Sequence, residues 1–435
     1  MDLLKKINLR KIKIGIIGFG YVGMPLGIEF ARAGYQVVGI ENNPEKARSV
    51  MQGKSYVGDV PSSILKEYVK KGKISATTDS SELETCDAAI ICVPTPLRKT
   101  RDPDISYILS ALDQIEKHGK SCKIIVLEST TYPGTSEEIL LPRLEKDGRK
   151  AGKDFFLAFS PERVDPGNKV YTTRKIPKII GGITPECTKV ICNLYNKAID
   201  TVIPVSNATV AEMCKLLENT FRSVNIGLIN EIALMCNKMG INVWEVIDGA
   251  STKPFAFMPF YPGPGLGGHC IPIDPLYLSW KAKLAKFNAK FIEIADEVNG
   301  SMPEHVVTRT MDILNSRGKC IKDAKILILG VAYKANVSDT RESPAFEVIR
   351  LLIKKGAIIS YSDPHVPEFS DDEGNWKLKS EKLTTSILKR SDCVIIITNH
   401  KDFNYPFILK NAKVVFDTRN ATKKYRFKNG NVVLL

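Results

Sequence analysis

Residues 12 to 41 constrain the fold more than any other stretch of the chain. The apolar run IKIGIIG passes straight into Gly18-Phe19-Gly20-Tyr21-Val22-Gly23, then into an amphipathic segment, PLGIEFARAGY, then into a second apolar run, VVGI, that ends at Glu41. Strand, GxGxxG, helix, strand and acid follow one another in the order that a βαβ dinucleotide-binding unit requires. Glycines at Gly18, Gly20 and Gly23 let the backbone approach a pyrophosphate at the amino end of a helix, and the acid takes a ribose diol. A carboxylate at Glu41 repels a 2′-phosphate, so the pattern favours NAD over NADP; Lys46 and Arg48, close behind it, pull the other way.

The alternation continues with a helical stretch near Ser62 to Lys71 and strands at AAIICVPTP from Ala88, KIIVLEST from Lys123 and FFLAFSPER. Ligands bind at the carboxyl ends of parallel strands, which here carry Thr95, Ser129 with Thr130, and Glu162 with Arg163. The hydroxyls serve equally well as plain turn residues. DPGN after Arg163 reads as a turn.

From Ala208 to about Gly240 the chain has no proline and only Gly227 as an interior glycine, which predicts one long helix. Lys215, Asn219 and Arg222 recur at spacings of four and three, so they share a face, with Met213, Leu216, Leu217 and Phe221 turned toward packing partners. Asn219 and Glu231 lie among apolar neighbours and suggest a buried polar face. The helix leads to PGPGLGGHCIPIDPLYLSW, an open glycine- and proline-rich loop with Cys270 and, four positions on, Asp274. A thiol with a carboxylate on one loop suits nucleophilic chemistry with proton transfer beside it.

After a helical stretch from about Leu276 to Ile313, a second sheet domain repeats the first. KILILG from Lys325 matches KIGIIG from Lys13, and DCVIIIT from Asp392 matches DAAIICV from Asp87, but there is no second GxGxxG. This domain is expected to bind a different ligand, with Lys334 and Arg341 placed to meet phosphates. The fold class is therefore α/β, with two doubly wound Rossmann-like domains joined by a long central helix in an all-α middle domain. The boundaries fall at residues 1–205, 206–315 and 316–435. The segment before Lys11 reads as a frayed end, and the basic tail from Lys423 as poorly ordered.

The remaining composition narrows the partners. Apolar runs are too short for a membrane helix and lysines interrupt the amino terminus, so neither a membrane span nor a signal peptide is expected. Ten cysteines without a CxxC pair fit reduced thiols in a cytoplasm, and five histidines without ligand spacing predict no metal site. A net charge of +14 suits anionic ligands, while no basic stripe interleaved with aromatics points to nucleic acid.

GFGYVG at Gly18, SPER at Ser160, EMCKLLENTFR at Glu212, GGHCIPIDP at Gly267 and DTRES at Asp339 together resemble the nucleotide-sugar 6-dehydrogenases, the family that includes UDP-glucose and GDP-mannose dehydrogenases. SPERVDPGN and PGPGLGGHCIPIDPLYL look most like members acting on UDP-N-acetylhexosamines, especially UDP-N-acetylglucosamine; UDP-glucose and the N-acetylmannosamine and N-acetylgalactosamine nucleotides are the alternatives. The resemblance implies NAD-dependent, four-electron oxidation at C6 through a thiohemiacetal and a thioester on Cys270. It implies roles for Lys215 and Asn219 at developing oxyanions and for Asp274 and Glu162 with the hydrolytic water, general-base work being divided among Lys215, Asp274 and Glu162 in a way the sequence leaves open. By the same likeness Gly18, Gly20, Tyr21, Val22, Gly23, Glu41, Lys46, Thr95, Thr130 and Arg341 contact the cofactor, and Arg163, Arg222, Tyr261, Gly267 and Lys334 the UDP-sugar. A homodimer or higher homo-oligomer, with the long helix as its spine, completes the expectation. Its rivals are a two-electron hydroxy-acid dehydrogenase, which has no use for Cys270, and a nucleotide-binding regulator without turnover.

Overall fold

The computed structural model describes residues 3–98, 100–164, 168, 170–268, 270–371, 374–425 and 430–435. Two compact units emerge from the chain: Met1–Glu218 with Trp280–Lys286, and Asn219–Ser279 with Phe287–Leu435.

In the first unit, short aliphatic runs become strands β1 (Lys13–Ile17), β2 (Gln36–Ile40), β3 (Ile74–Thr77), β4 (Ala88–Ile91), β5 (Ile124–Leu127), β6 (Phe156–Phe159), β7 (Lys178–Gly182) and β8 (Val202–Pro204). They form one sheet in the order β3-β2-β1-β4-β5-β6-β7-β8. Residues of β4 and β5 are buried on both faces, as helices on both sides of a parallel sheet demand, which is why these runs show no polar alternation. Order reverses between β1 and β4, the switch point where such sheets bind ligands. Pairing is parallel except between β6 and β7. That single reversal carries the amino end of β7, Lys178, to the carboxyl edge of β6.

Two expectations for this unit need correction, and a third falls mostly outside the described residues. The helix Gly23–Arg32 is buried along nearly its whole length rather than on one face alone, because it packs against β1, β2 and β3 and against the helix Ser62–Lys70. The amino-terminal segment is not frayed: Leu3–Asn8 is a helix with Ile7 fully buried, Lys6 pairs with Asp87 at 2.8 Å, and the Tyr35 hydroxyl donates to the Ile7 carbonyl at 2.9 Å. Of the DPGN turn, Asp165, Pro166 and Gly167 lie outside the described residues.

The helix Ala208–Met239 is continuous, as its sequence requires, and the division between the units falls within it. Its buried polar face consists of Glu212, Lys215, Asn219, Ser223 and Asn230. Arg222 and Glu231 are exposed, so neither belongs to that face. Leu216 is buried, but Met213, Leu217 and Phe221 are exposed in the single chain, contrary to the packing expected of them.

In the second unit, Gly227 lets the long helix approach the helix Lys290–Asn315: a β-carbon there would stand 3.0 Å from the Ala295 Cα. The stretch read as helical from Leu276 to Ile313 is two helices, Asp274–Leu284 and Lys290–Asn315. The break holds Lys286 at a left-handed φ of 58°.

The second sheet contains β9 (Lys325–Leu329), β10 (Ile358–Ser362), β13 (Cys393–Ile396), β14 (Val415–Asp417) and β15 (Val432–Leu434), ordered β10-β9-β13-β14-β15 and parallel throughout. It repeats the first sheet around its switch point, but among the described residues the β3 position holds only a single parallel bridge, Tyr361 with Ser380, at the end of the hairpin β11 (Glu368–Ser370) and β12 (Lys377–Lys379). Of the tail, Lys423 pairs with Asp248 at 2.6 Å, β15 closes the sheet edge and Leu435 is buried, so these parts are not loose; Arg426 to Asn429 lie outside the described residues. Among the described residues, no helix is long and apolar enough to cross a membrane.

Candidate active site

In the first unit, β1 delivers Gly18 at a φ of +89°, a conformation that glycine adopts without strain. A β-carbon on Gly18 would run into the Cys92 carbonyl, and one on Gly23 into the Gly18 carbonyl, whereas Gly20 has nothing within 4 Å. Two glycines thus close the turn and the third leaves open backbone at the start of the helix Gly23–Arg32, the arrangement a pyrophosphate needs. Glu41 follows β2, half-buried, with its Oε1 accepting from the Asn43 amide at 3.3 Å. Burial, with a smaller push from Glu41, raises the pKa of the Tyr56 phenol, which donates to the Phe19 carbonyl at 2.7 Å; Lys46 stands 5.5 Å from the Tyr56 ring centre. Tyr21 is exposed, Thr95 is buried and Thr130 half-buried, and the neighbouring Ser129 hydroxyl donates to the Val93 carbonyl at 2.7 Å. These residues fit a dinucleotide.

At the carboxyl edge of the same sheet, Glu162 is tied down through both carboxyl oxygens. Its Oε1 accepts from the amides of Arg163 at 2.7 Å and Val164 at 2.6 Å, and its Oε2 from Lys178 Nζ at 3.2 Å. Lys215 donates to the Glu162 backbone carbonyl. Lys178 also pairs with Glu128, whose other oxygen accepts from the Tyr195 hydroxyl at 2.6 Å. Burial works against ionising Glu162, yet Lys178 and Lys215 outweigh it and hold the carboxyl below its ordinary range. Burial opposes the Lys178 ammonium as well, and Glu128 and Glu162 reverse that and raise its pKa. Arg163 is occupied by Glu218 at 2.7 Å and by the Pro177 carbonyl at 2.8 Å.

In the second unit the loop from Pro262 is not open, because Pro262 to Gly265 and Gly268 are buried. Asn230 accepts from the Gly263 amide at 3.0 Å, and the Gly268 amide donates to the Arg341 carbonyl at 3.2 Å. β-Carbons on Gly267 and Gly268 would meet Tyr333 at 3.0 and 2.8 Å, so glycine is what seats this loop on the segment after β9. The loop turns at Cys270, half-buried, whose carbonyl accepts from the amides of Ile273 and Asp274 at the start of the helix Asp274–Leu284. Asp274 is buried, and its Oδ2 accepts from Asn219 Nδ2. Tyr261 is exposed and stacked on Trp244, Lys334 is half-buried, and Arg341 chelates Asp339.

The structure therefore joins Lys215 to Glu162 and Asn219 to Asp274, each within its own unit, and leaves Arg222 exposed. Sequence reasoning missed Glu128, Lys178, Tyr195, Glu212 and Arg419. The strand-end rule reaches Glu128 and Arg419, which follow β5 and β14; Lys178 opens a strand, and only the reversed direction of β7 brings it to the site. Arg419 donates to the Ile397 carbonyl beside Gly263, and burial lowers its pKa to about 10.

Two lobes of the doubly wound type, one with a complete dinucleotide cradle, define a dinucleotide-binding α/β protein. The chain belongs to the UDP-glucose/GDP-mannose dehydrogenase family: residues 12–199 match its NAD binding domain, 209–301 its central domain and 327–424 its UDP binding domain. It is 36% identical to a UDP-N-acetyl-D-mannosamine dehydrogenase of Methanococcus maripaludis, over 94% of this chain and 92% of that protein. It is 35% identical to the UDP-N-acetyl-D-glucosamine 6-dehydrogenase of Pseudomonas aeruginosa, over 91% and 92%. Among solved structures, a UDP-D-ManNAc dehydrogenase from Pyrococcus horikoshii superimposes with a TM-score of 0.87 at 32% identity, covering 97% of this chain and 98% of that one.

Proposed function

We propose that the chain oxidises C6 of a UDP-N-acetylhexosamine from alcohol to carboxylate, with UDP-N-acetylglucosamine as the substrate. The observation that carries the reading is the turn at Cys270, which leads into a helix whose first residue, Asp274, is buried and held by Asn219. A carboxylate kept four residues from a thiol by an amide donor is ready to handle the protons of a thiol-bound carbonyl. In this account the Cys270 sulfur adds to the C6 aldehyde, the resulting thiohemiacetal is oxidised to a thioester, and water releases the acid and returns the thiol. NAD supplies the hydride acceptor for both oxidations, bound by Gly18, Gly20, Tyr21, Val22, Gly23, Glu41, Lys46, Thr95, Thr130 and Arg341. Lys215 and Asn219 stabilise the oxyanions, and Asp274 and Glu162 direct the water. Arg163, Arg222, Tyr261, Gly267 and Lys334 meet the UDP-sugar, with Arg163 released from Glu218 to do so.

The functional domains are residues 1–205, 206–315 and 316–435, a division supported by the three family matches. The enzyme works in the cytoplasm as a homodimer. Support for the dimer comes from the exposed stripe Phe221, Leu228, Met235 and Met239 on the long helix.

The glucosamine reading rests on PGPGLGGHCIPIDPLYL and is supported by the Pseudomonas relative. N-acetylmannosamine is the second reading, favoured by the names of the Methanococcus and Pyrococcus relatives. Assaying NADH formation with UDP-N-acetylglucosamine, UDP-N-acetylmannosamine, UDP-N-acetylgalactosamine and UDP-glucose decides between them. The proposal expects the highest kcat/KM with UDP-N-acetylglucosamine; a preference for UDP-N-acetylmannosamine selects the second reading, and turnover of UDP-glucose alone overturns both.

A further inference from the structure

A lysine at the start of a buried strand is expensive unless its charge is used. Lys178 is 3% exposed, and its ammonium lies between two carboxylates, Glu128 following β5 and Glu162 following β6. Glu128 is fully buried and itself held by Tyr195, from the helix Pro185–Tyr195. The Glu162 side chain is 12% exposed, the most accessible of the three, and the only one whose residue is also gripped by Lys215. The cluster is thus built from the inside outward, each deeper group fixing the next. We propose that Lys178 is a positioning residue for Glu162, anchored by Glu128 and Tyr195, and that its ammonium fixes both the direction and the ionised form of the Glu162 carboxylate. The inference rests on the reading of Glu162 as a carboxylate of the reacting centre.

The charged and titratable groups acting on Glu162 are Lys178 from β7, Lys215 from the long helix and Glu128 beyond β5. Tyr195 and Cys92 lie behind them, and the Arg163–Glu218 pair lies beside them. Burial raises the pKa of Glu128, against the pull of Lys178, while Glu162 is held below its ordinary range. Substitutions of the two deeper partners therefore have opposite effects. Removing the cation in Lys178→Met takes away attraction on Glu162, so ionisation becomes harder. Removing the competing anion in Glu128→Gln takes away repulsion and leaves Lys178 to Glu162 alone, so ionisation becomes easier.

The experiment is the pH dependence of kcat for the full chain with NAD and its best UDP-sugar. Lys178→Met moves the acid limb up by about 1 pH unit or more, a roughly tenfold loss of kcat below the limb, with KM for the sugar unchanged. Lys178→Arg returns the limb most of the way, and Glu128→Gln moves it down. A packing role alone would lower stability in all three without opposed limbs. Limbs that stay put, or that move the same way in Lys178→Met and Glu128→Gln, overturn the proposal. If Lys178→Met does not fold, Glu128→Gln decides by itself: a downward move supports the positioning role, and no move or an upward one refutes it. Glu162→Gln separates the underlying reading: wild-type kcat and an unmoved limb in that variant mean that Glu162 is not at the reacting centre, whatever Lys178 does.

Discussion

Glu212, near the start of the long helix, is fully buried and answers three donors: the Gly134 amide at 2.6 Å, the Ser136 amide at 2.9 Å and the Ser136 hydroxyl at 2.7 Å. Burial raises its pKa to about 7, the Ser136 and Gly134 hydrogen bonds opposing that rise. A folded-state value above the unfolded one means that the protonated acid is favoured by folding. The stabilisation is therefore complete below the unfolded pKa near 4.3 and is lost as pH rises through about 7. Glu212→Gln, which does not titrate, should flatten this dependence, so that the difference in unfolding free energy between wild type and variant changes by on the order of 3 kcal/mol from pH 4.5 to 8. Urea unfolding at several pH values measures it, and parallel curves would contradict the assignment. At this scale, the residues legible in sequence are those inside short fixed-spacing patterns, Gly18 to Gly23 with Glu41, and Cys270 with Asp274. Lys178 and Glu128 are fifty positions apart in the chain and meet only because β7 runs against β6, a fact that no local pattern carries.

Among the elements, the long helix shows both what periodicity reveals and where it stops. Its length was readable from the absence of breakers, and its buried polar row only in part: Lys215 and Asn219 lie on it, but Arg222 and Glu231, read onto the same face, are exposed. Which apolar residues face solvent was not readable, because an exposed stripe and a core-facing stripe have the same period. Leu228, Met235 and Met239 are 54%, 48% and 62% exposed, an unusual cost for one helix face in water. The dimer proposal accounts for that face, and predicts that Leu228→Glu, a charge placed in the middle of the stripe, yields a folded monomer by light scattering. A dimer persisting in that variant at the same concentration would move the interface elsewhere. The central strands β1, β2, β4, β5, β6, β9 and β13 were legible as aliphatic runs, whereas β3, β7, β8, β14 and β15 were not. The hairpin beside β10 was not legible either, since Glu368–Ser370 and Lys377–Lys379 are short and rich in charge.

At the scale of the whole molecule, the chain pairs a lobe with a complete dinucleotide cradle with a second lobe of shorter topology that lacks GxGxxG. The family it belongs to names an NAD binding domain and a UDP binding domain in those two places. Doubling of the fold was legible from the repeated strand-glycine pattern, whereas the docking of Leu3–Asn8 and the closure of the second sheet by Val432–Leu434 were not, because both depend on surfaces formed only after the core is built. The proposed four-electron oxidation, completed on one sulfur, fixes a stoichiometry that can be counted. With limiting UDP-N-acetylhexosamine and excess NAD, the account predicts two NADH and one uronic acid per sugar consumed, and no uronic acid from Cys270→Ser. One NADH per sugar with an aldehyde as final product, or a normal yield of uronic acid from Cys270→Ser, would contradict it.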